Sequence, residues 1–147
     1  AALETPEAAA RCKLLARFGH PSALNALLHW MAGDDIALAA AAGDAFTRIT
    51  GAEVRGRRQQ LPVPEEADEF TRDMAPEVWL PDVPKARTLL ERQGAEWATS
   101  PRWCNGLRLD GEHAREWLTQ LDLEARWEVA ARAALAGRPV SAPAPIH

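Results

Sequence analysis

Apolar residues recur at helical spacing over the first third of the chain, and one pattern occurs twice. When the sequence is shifted by 31 positions, residues 15–18 fall on 46–49, and the alanines at 8–10 fall on those at 39–41. A helix stop followed by a new helix start, at residues 19–22, lies between the two copies. Two similar helices with a third between them are typical of a helical repeat array.

We expect three amphipathic helices between residues 5 and 51. The first begins at Thr5-Pro6 and ends at Gly19, and the third begins at about Asp35 and ends before Gly51, in keeping with the usual capping residues. The second has apolar residues at i, i+3, i+4 and i+7. The side chains expected to point inward are Ala8, Cys12, Leu15, Phe18, Leu24, Leu27, Leu28, Met31, Ile36, Ala39, Gly43, Phe46 and Ile49.

The helical periodicity stops between residues 52 and 84. Prolines at positions 62, 64, 76, 81 and 84 block a long helix there, because each removes a backbone donor and clashes with the preceding turn. Residues 64–74 have room for two or three helical turns. The segment is either an ordered crossover or an insertion, and an ordered crossover is favoured because four apolar residues in it require burial: Phe70, Val78, Trp79 and Leu80.

Helical spacing returns in residues 85–137. Asp82, Asp110 and Asp122 are expected to cap three further helices, and residues 100–109 contain an Asn-Gly turn between alternating apolar positions, which predicts a short hairpin or strap. The expected inward stripes are Ala86, Leu89, Leu90 and Trp97, then Ala114, Trp117, Leu118 and Leu121, then Trp127, Ala130, Ala131 and Ala134. The tail at 138–147 is rich in Pro and Ala and is expected to be disordered.

Several of these segments resemble HEAT repeats of the short bacterial kind. They are EAAARCKLLARFGHPSALNALLHWM, AAGDAFTRITG and, more weakly, DLEARWEVAARAALAG. The later order, LPDVPKARTLLERQGAEW, then RWCNGLRLDG, then a last helix pair, is similar to the C-terminal part of a family of bacterial HEAT-repeat proteins often found near type VI secretion genes. The resemblance implies a helical architecture, a role in protein contacts and no catalytic residues.

The expected fold is therefore all-α, a HEAT-like α-solenoid fragment with a C-terminal helical subdomain and a short strap. Residues 1–51 would be the repeat helices, 52–84 a proline-rich ordered crossover, 85–137 a helical part packing on the array, and 138–147 the disordered tail. A chain of 147 residues is normally one domain with a real core.

Net charge, the lengths of apolar runs and the cysteines argue against several classes of function. A formal net charge of −4 argues against a general nucleic-acid binder, which needs a broad basic face; the one local basic cluster is Arg55, Arg57 and Arg58. The longest apolar run, at 36–42, is far shorter than a membrane span, and no signal peptide is recognisable. Cys12 and Cys104 are expected to be buried free thiols rather than a disulfide, which favours the cytoplasm.

No reaction can be read from the sequence. It contains no phosphate-binding glycine loop, nucleophile elbow or zinc-ligand spacing, so we expect no catalytic residues, no cofactor and no metal. The acidic residues at 65–73 offer carboxylates for acid–base work, but an acidic, solvated helix start explains them without chemistry.

Six tryptophans without a tyrosine direct the search for a partner-binding surface. Trp79, Trp97 and Trp103 flank irregular segments, where each is either core or an interface anchor beside Arg. On the second helix, polar residues lie away from the leucine stripe and are either contacts or a solvated face. The candidate partner-binding residues are Asn25, His29, Arg102, Trp103, Asn105 and Arg108.

Three functional hypotheses follow. The first is a non-enzymatic helical module for protein–protein interaction, a scaffold or adaptor that binds another protein. The alternative is a lyase-type or small-molecule-binding domain, which needs a deep apolar pocket with convergent polar groups. A nucleic-acid-binding array is the third, and it would bind through residues 55–58 with a steep dependence on salt.

Overall fold

The computed structural model describes residues 4–109 and 120–137. These residues form six helices and two antiparallel sheets of two strands each. The helices are α1 (Glu4–Phe18), α2 (Ala23–Met31), α3 (Ile36–Thr50), α4 (Glu69–Asp73), α5 (Val83–Trp97) and α6 (Leu123–Leu135). The strands are β1 (Arg55–Gln60), β2 (Glu77–Pro81), β3 (Trp103–Cys104) and β4 (Leu107–Arg108).

The helix boundaries follow the capping signals in the sequence. Asp35, Asp82 and Asp122 each accept a hydrogen bond from the backbone N–H three residues later, which satisfies one of the free donors at a helix start. Gly51 ends α3 in the left-handed conformation, at φ 70°, where a side chain would be strained. These predicted caps are confirmed.

Helix α3 is the centre of the core, and both α1 and α2 pack against it. Its small residues Ala39, Ala42 and Ala45 are buried, so the neighbouring helices approach closely. Phe46 is fully buried and meets the edge of Trp97 from α5 at a ring distance of 6.0 Å, a favourable aromatic geometry. The predicted stripe of α2 also forms part of this core.

The prediction of an all-α HEAT-like α-solenoid is wrong, because two short sheets are part of the framework. In the predicted crossover, β1 pairs antiparallel with β2, with Gln59 opposite Val78. Pro62 and Pro76 lie just outside the strands, so neither interrupts the hydrogen bonds within the ladder. The prolines prevent a long helix, as expected, but β1 precedes the first of them and β2 extends from Glu77 to Pro81.

Some apolar residues that were expected to be buried face solvent instead. Phe18, which the repeat pattern aligns with Ile49, is 61% exposed, and Phe70 is 73% exposed. Trp127 on α6 is also exposed, because α6 turns Ala125 and Val129 toward the rest of the chain. Helical spacing identifies a stripe on each helix, but the packing of neighbouring elements decides which face is covered.

Helix α6 is held by a small second cluster and by ion pairs. Cys104, Leu121 and Ala125 form that cluster. Arg17 of α1 pairs with Glu128 at 2.5 Å, and Arg48 of α3 pairs with Asp122 at the start of α6. Cys12 and Cys104 are free, buried thiols, as predicted.

Three predictions lie outside the described residues: the helix cap at Asp110, the stripe of Ala114, Trp117 and Leu118, and the disordered tail at 138–147. None of the described helices is long and apolar enough to cross a membrane.

The first testable prediction concerns Gly19, which ends α1 at φ +63°. A Cβ at this position would collide with the backbone carbonyl of Trp103. Gly137 is the matched control, because it has a similar φ of +69° and an added Cβ would meet no described atom within 4 Å. Both Gly→Ala changes incur a left-handed strain of about 1–2 kcal/mol.

Gly19→Ala should lose a further ~1–3 kcal/mol, because the collision is with backbone and forces a shift. Urea denaturation of the two variants measures the difference in unfolding free energy. Equal losses of unfolding free energy at the two positions would contradict the close contact between the end of α1 and β3.

Candidate functional site

Residues 102–108, here called the strap, form the short hairpin that the sequence predicted. Trp103 pairs with Arg108, and Cys104 pairs with Leu107. The turn residues Asn105 and Gly106 have φ values of 49° and 75°, as an Asn-Gly turn in a two-residue hairpin requires. The strap contains four of the six candidate partner-binding residues.

The strap is anchored at the C-terminal ends of two helices. The Trp103 N–H donates to the Gly19 carbonyl just after α1, at 2.8 Å. The N–H groups of Asn105 and Gly106 donate to the Arg48 and Ile49 carbonyls of α3, at 2.6 and 3.1 Å. The last carbonyls of a helix have no partner within the helix, so the strap supplies donors that α3 lacks.

The side chains of the strap also serve the fold. Trp103 is only 4% exposed, and its indole N–H donates to the carbonyls of Trp97 and Ser100, at 2.7 and 3.2 Å. Arg102 donates to the Phe18 carbonyl and Arg108 to the Thr99 carbonyl, both at 3.4 Å. Trp103 is therefore a core residue, and its burial leaves almost no surface for a partner.

The other two candidates, Asn25 and His29, are both exposed on α2. Asn25 lines a groove of about 690 Å³ between α2 and the end of α5, and this groove reaches Ser100 and Pro101 just before the strap. His29 is not among the groove-lining residues. The structure thus brings Asn25 close to the start of the strap, whereas His29 lies outside this groove.

Polar groups lie at one end of the groove, near the start of α2. The Ser22 N–H donates to His20 Nδ1 at 3.1 Å, so this nitrogen is an acceptor, and the Ser22 hydroxyl lies 2.7 Å from it. Leu24, Leu90 and Ala98 supply apolar lining. Ligand pockets of this size combine an apolar wall with a few polar groups, so the groove has the composition of a shallow binding site.

A surface that sequence analysis missed is the arm, which we define as β1, β2 and the connection at 61–76 that contains α4. No residue of α4 is buried. Phe70 and Met74 are 73% and 66% exposed, and they lie one turn apart, since the Met74 N–H donates to the Phe70 carbonyl. The cluster of acids around Phe70 was the available signal that this segment faces solvent.

Asp122 and the two cysteines have shifted pKa values, and each shift has a local cause. Burial raises the pKa of Asp122, but hydrogen bonds from the Ala125 N–H and the Arg48 guanidinium outweigh that effect, so the pKa is lowered. Burial also raises the pKa of the Cys12 and Cys104 thiols, which keeps them protonated and unreactive near neutral pH. Within residues 4–109 and 120–137, no group of His, Cys, Asp and Glu side chains has the arrangement of a metal site.

Comparison with known proteins adds no relative. No protein-family model, no curated protein and no solved structure matches this chain. The candidate surfaces therefore rest on the geometry of the chain itself.

The lowered pKa of Asp122 generates a prediction about acid stability. A group whose pKa is lower in the folded state stabilises that state above its unfolded pKa, about 3.9 for Asp. This contribution is lost as the pH falls through the folded pKa. Asp122→Asn should therefore lower the unfolding free energy at pH 7, and the difference between the two proteins should shrink as the pH falls below about 3.9.

Asparagine is a good helix cap, so this substitution removes the pair with Arg48 and leaves the start of α6 capped. Urea denaturation at pH 7 and at a series of lower pH values measures the effect. A stability difference that did not shrink in acid would show that the charge of Asp122 makes no such contribution.

Proposed function

We propose that this protein is a non-enzymatic module for protein–protein interaction, a scaffold or adaptor that acts by binding. The observation that supports this proposal most is the exposed apolar pair Phe70 and Met74 at the end of the arm. Aromatic and Met side chains are enriched at protein interfaces, and a few such anchors dominate their binding energy.

The arm is suited to presenting these residues. Its base is fixed, because β2 packs on α3 and the Asp82 N–H donates to the Val54 carbonyl at 2.7 Å. Within the connection, Arg72 donates to the Glu65 carbonyl at 2.7 Å, and Asp68 caps α4. An ordered loop loses less conformational entropy on binding than a flexible one, so Phe70 and Met74 are prepared for a partner's apolar pocket.

The resemblance to bacterial HEAT-repeat proteins found near type VI secretion genes is consistent with an adaptor role, and a component handled by such an apparatus is the partner we propose. We place the protein in the cytoplasm, because both cysteines are free thiols and free thiols persist in reducing compartments.

A two-step experiment tests the proposed function. Photocrosslinking from a benzoylphenylalanine placed at position 70, in cells of the source organism, should capture a discrete partner protein. With that partner purified, Phe70→Ala and Met74→Ala should each weaken its affinity by at least about tenfold, or ~1.4 kcal/mol, in titration calorimetry.

Leu135→Ala is the matched control, because Leu135 is an apolar side chain that is 89% exposed on α6. This variant should bind the partner with the affinity of the wild type. Asn25→Glu tests the other candidate surface. If a confirmed partner bound both arm variants normally but lost affinity for Asn25→Glu, α2 would be the binding face and the arm assignment would be wrong.

The groove beside Asn25 favours a second candidate function, binding of a small molecule, as a lyase-type domain would require. Its volume of about 690 Å³ lies within the range of ligand pockets. A thermal-shift screen of metabolites and tetrapyrroles tests this candidate. A true ligand should raise the midpoint of the wild type, since binding to the folded state alone adds stability, and should fail to do so for Ala98→Trp, which would fill the groove.

A further inference from the structure

The outer edge of β1 has backbone groups that β2 does not use. The Leu61 N–H donates to the Pro76 carbonyl at 2.9 Å, and hydrogen-bonded and non-hydrogen-bonded pairs alternate along an antiparallel ladder. By this alternation, Gln59 and Val78 exchange hydrogen bonds, whereas the pairs Arg58–Trp79 and Gln60–Glu77 do not. The N–H and C=O groups of Arg58 and Gln60 therefore point away from β2.

This edge is open to solvent. Every residue of β1 is exposed except Gln59, which is half-buried. Nearer the base of the arm, the carboxylate of Glu53 accepts from the Arg55 N–H at 2.8 Å, so this end is already occupied. The free part of the edge is the stretch from Arg58 to Gln60, which is long enough for two residues of an added strand to form four hydrogen bonds.

The charges on β1 select the occupant. Arg55 and Arg58 form exposed pairs with Glu53 and Glu77 at 3.9 and 3.6 Å, and such pairs are weak. Arg57 is exposed and pairs with no residue that the structure describes. The strand thus has a net positive charge on a chain whose net charge is −4.

A second copy of β1 is disfavoured at this edge, because antiparallel pairing through Arg58 and Gln60 of both copies would set the two Arg58 side chains diagonally on the same face, within reach of each other, where their like charges repel. An acidic strand avoids that repulsion. Residues that are directly opposite each other project on the same face of a sheet, so an acidic side chain opposite Arg58 would lie beside its guanidinium, which is 4.9 Å from the centre of the Trp79 ring.

We propose that the free edge of β1 binds an extended acidic segment of a partner protein, which adds as a third strand to the arm. This inference rests on the proposed function and adds the chemistry of the partner. Backbone hydrogen bonds to Arg58 and Gln60 hold the segment, as in other cases of strand addition, and Arg58 selects for acidic side chains on its own face of the sheet.

The probe for this proposal is a fluorescein-labelled peptide of alternating Glu and Val, ten residues long with capped ends. Its Glu residues should lie opposite Arg58 and Gln60, so the N–H groups of the Glu residues face β1. N-methylation of the Glu residues should abolish binding in fluorescence anisotropy, whereas N-methylation of the Val residues should leave the affinity within about threefold of the unmodified peptide.

Variants of the protein test the same contacts. Gln60→Pro removes an N–H that the pairing with β2 does not use, and it should weaken the peptide at least tenfold, as should Arg58→Glu. Arg92→Glu makes the same charge change at an exposed position of α5 and should have no effect in 150 mM salt, where distant charges are screened. Circular dichroism confirms that each variant is folded.

Three results would overturn the proposal. One is equal binding of the two N-methylated peptides, which would show that the peptide binds through charge alone and not through backbone hydrogen bonds to β1. Another is equal binding of a Lys-Val peptide. The third is a dimer in light scattering that Gln60→Pro dissociates, since a second copy would then occupy the edge. Phe70→Ala should leave the peptide affinity unchanged. A negative result with the peptide would therefore not bear on the proposed function, which is tested separately at Phe70 and Met74.

Discussion

The fold depends on the docking of one short hairpin against the ends of two helices. The strap donates its backbone N–H groups to carbonyls at the ends of α1 and α3 and inserts Trp103 into the core beside Trp97. Because unpaired carbonyls at a buried helix end are costly, the strap joins the C-terminal half of the chain to the N-terminal helices. Gly19 makes the approach possible, since any Cβ there would meet the Trp103 carbonyl.

Helix α3 also supports the arm. Gly43 lies against Pro81 at the end of β2, where a Cβ would come within 3.0 Å of the proline ring. This contact lets β2 lie close to α3 and leaves β1 on the outside. The half-buried face of β2 and the exposed edge of β1 both follow from the close approach at this small residue of the central helix. The surfaces available to a partner are a consequence of how the core packs.

The distribution of charge separates the structural residues from the candidate binding residues. Arg17 and Arg48 are engaged with acids of α6, and Arg102 caps a helix carbonyl. The arginines of β1 form only weak exposed pairs or none among the described residues. The sequence suggested that Arg and Trp residues of the strap form an interface. The Arg–Trp pair that faces solvent is instead Arg58 over Trp79 on the arm.

The sequence by itself determined the helices and the strap turn, because caps, glycines and apolar spacing act within a few residues: Asp35, Asp82, Asp122, Gly51 and the Asn105-Gly106 turn are all used as predicted. It did not determine which apolar side chains were covered. Phe18 and Phe70 are exposed while Trp103 is buried, and the pairing of β1 with β2 joins strands 16 residues apart across a proline-rich connection. Only the tertiary structure decided these features, since burial and strand pairing depend on elements that are distant in sequence.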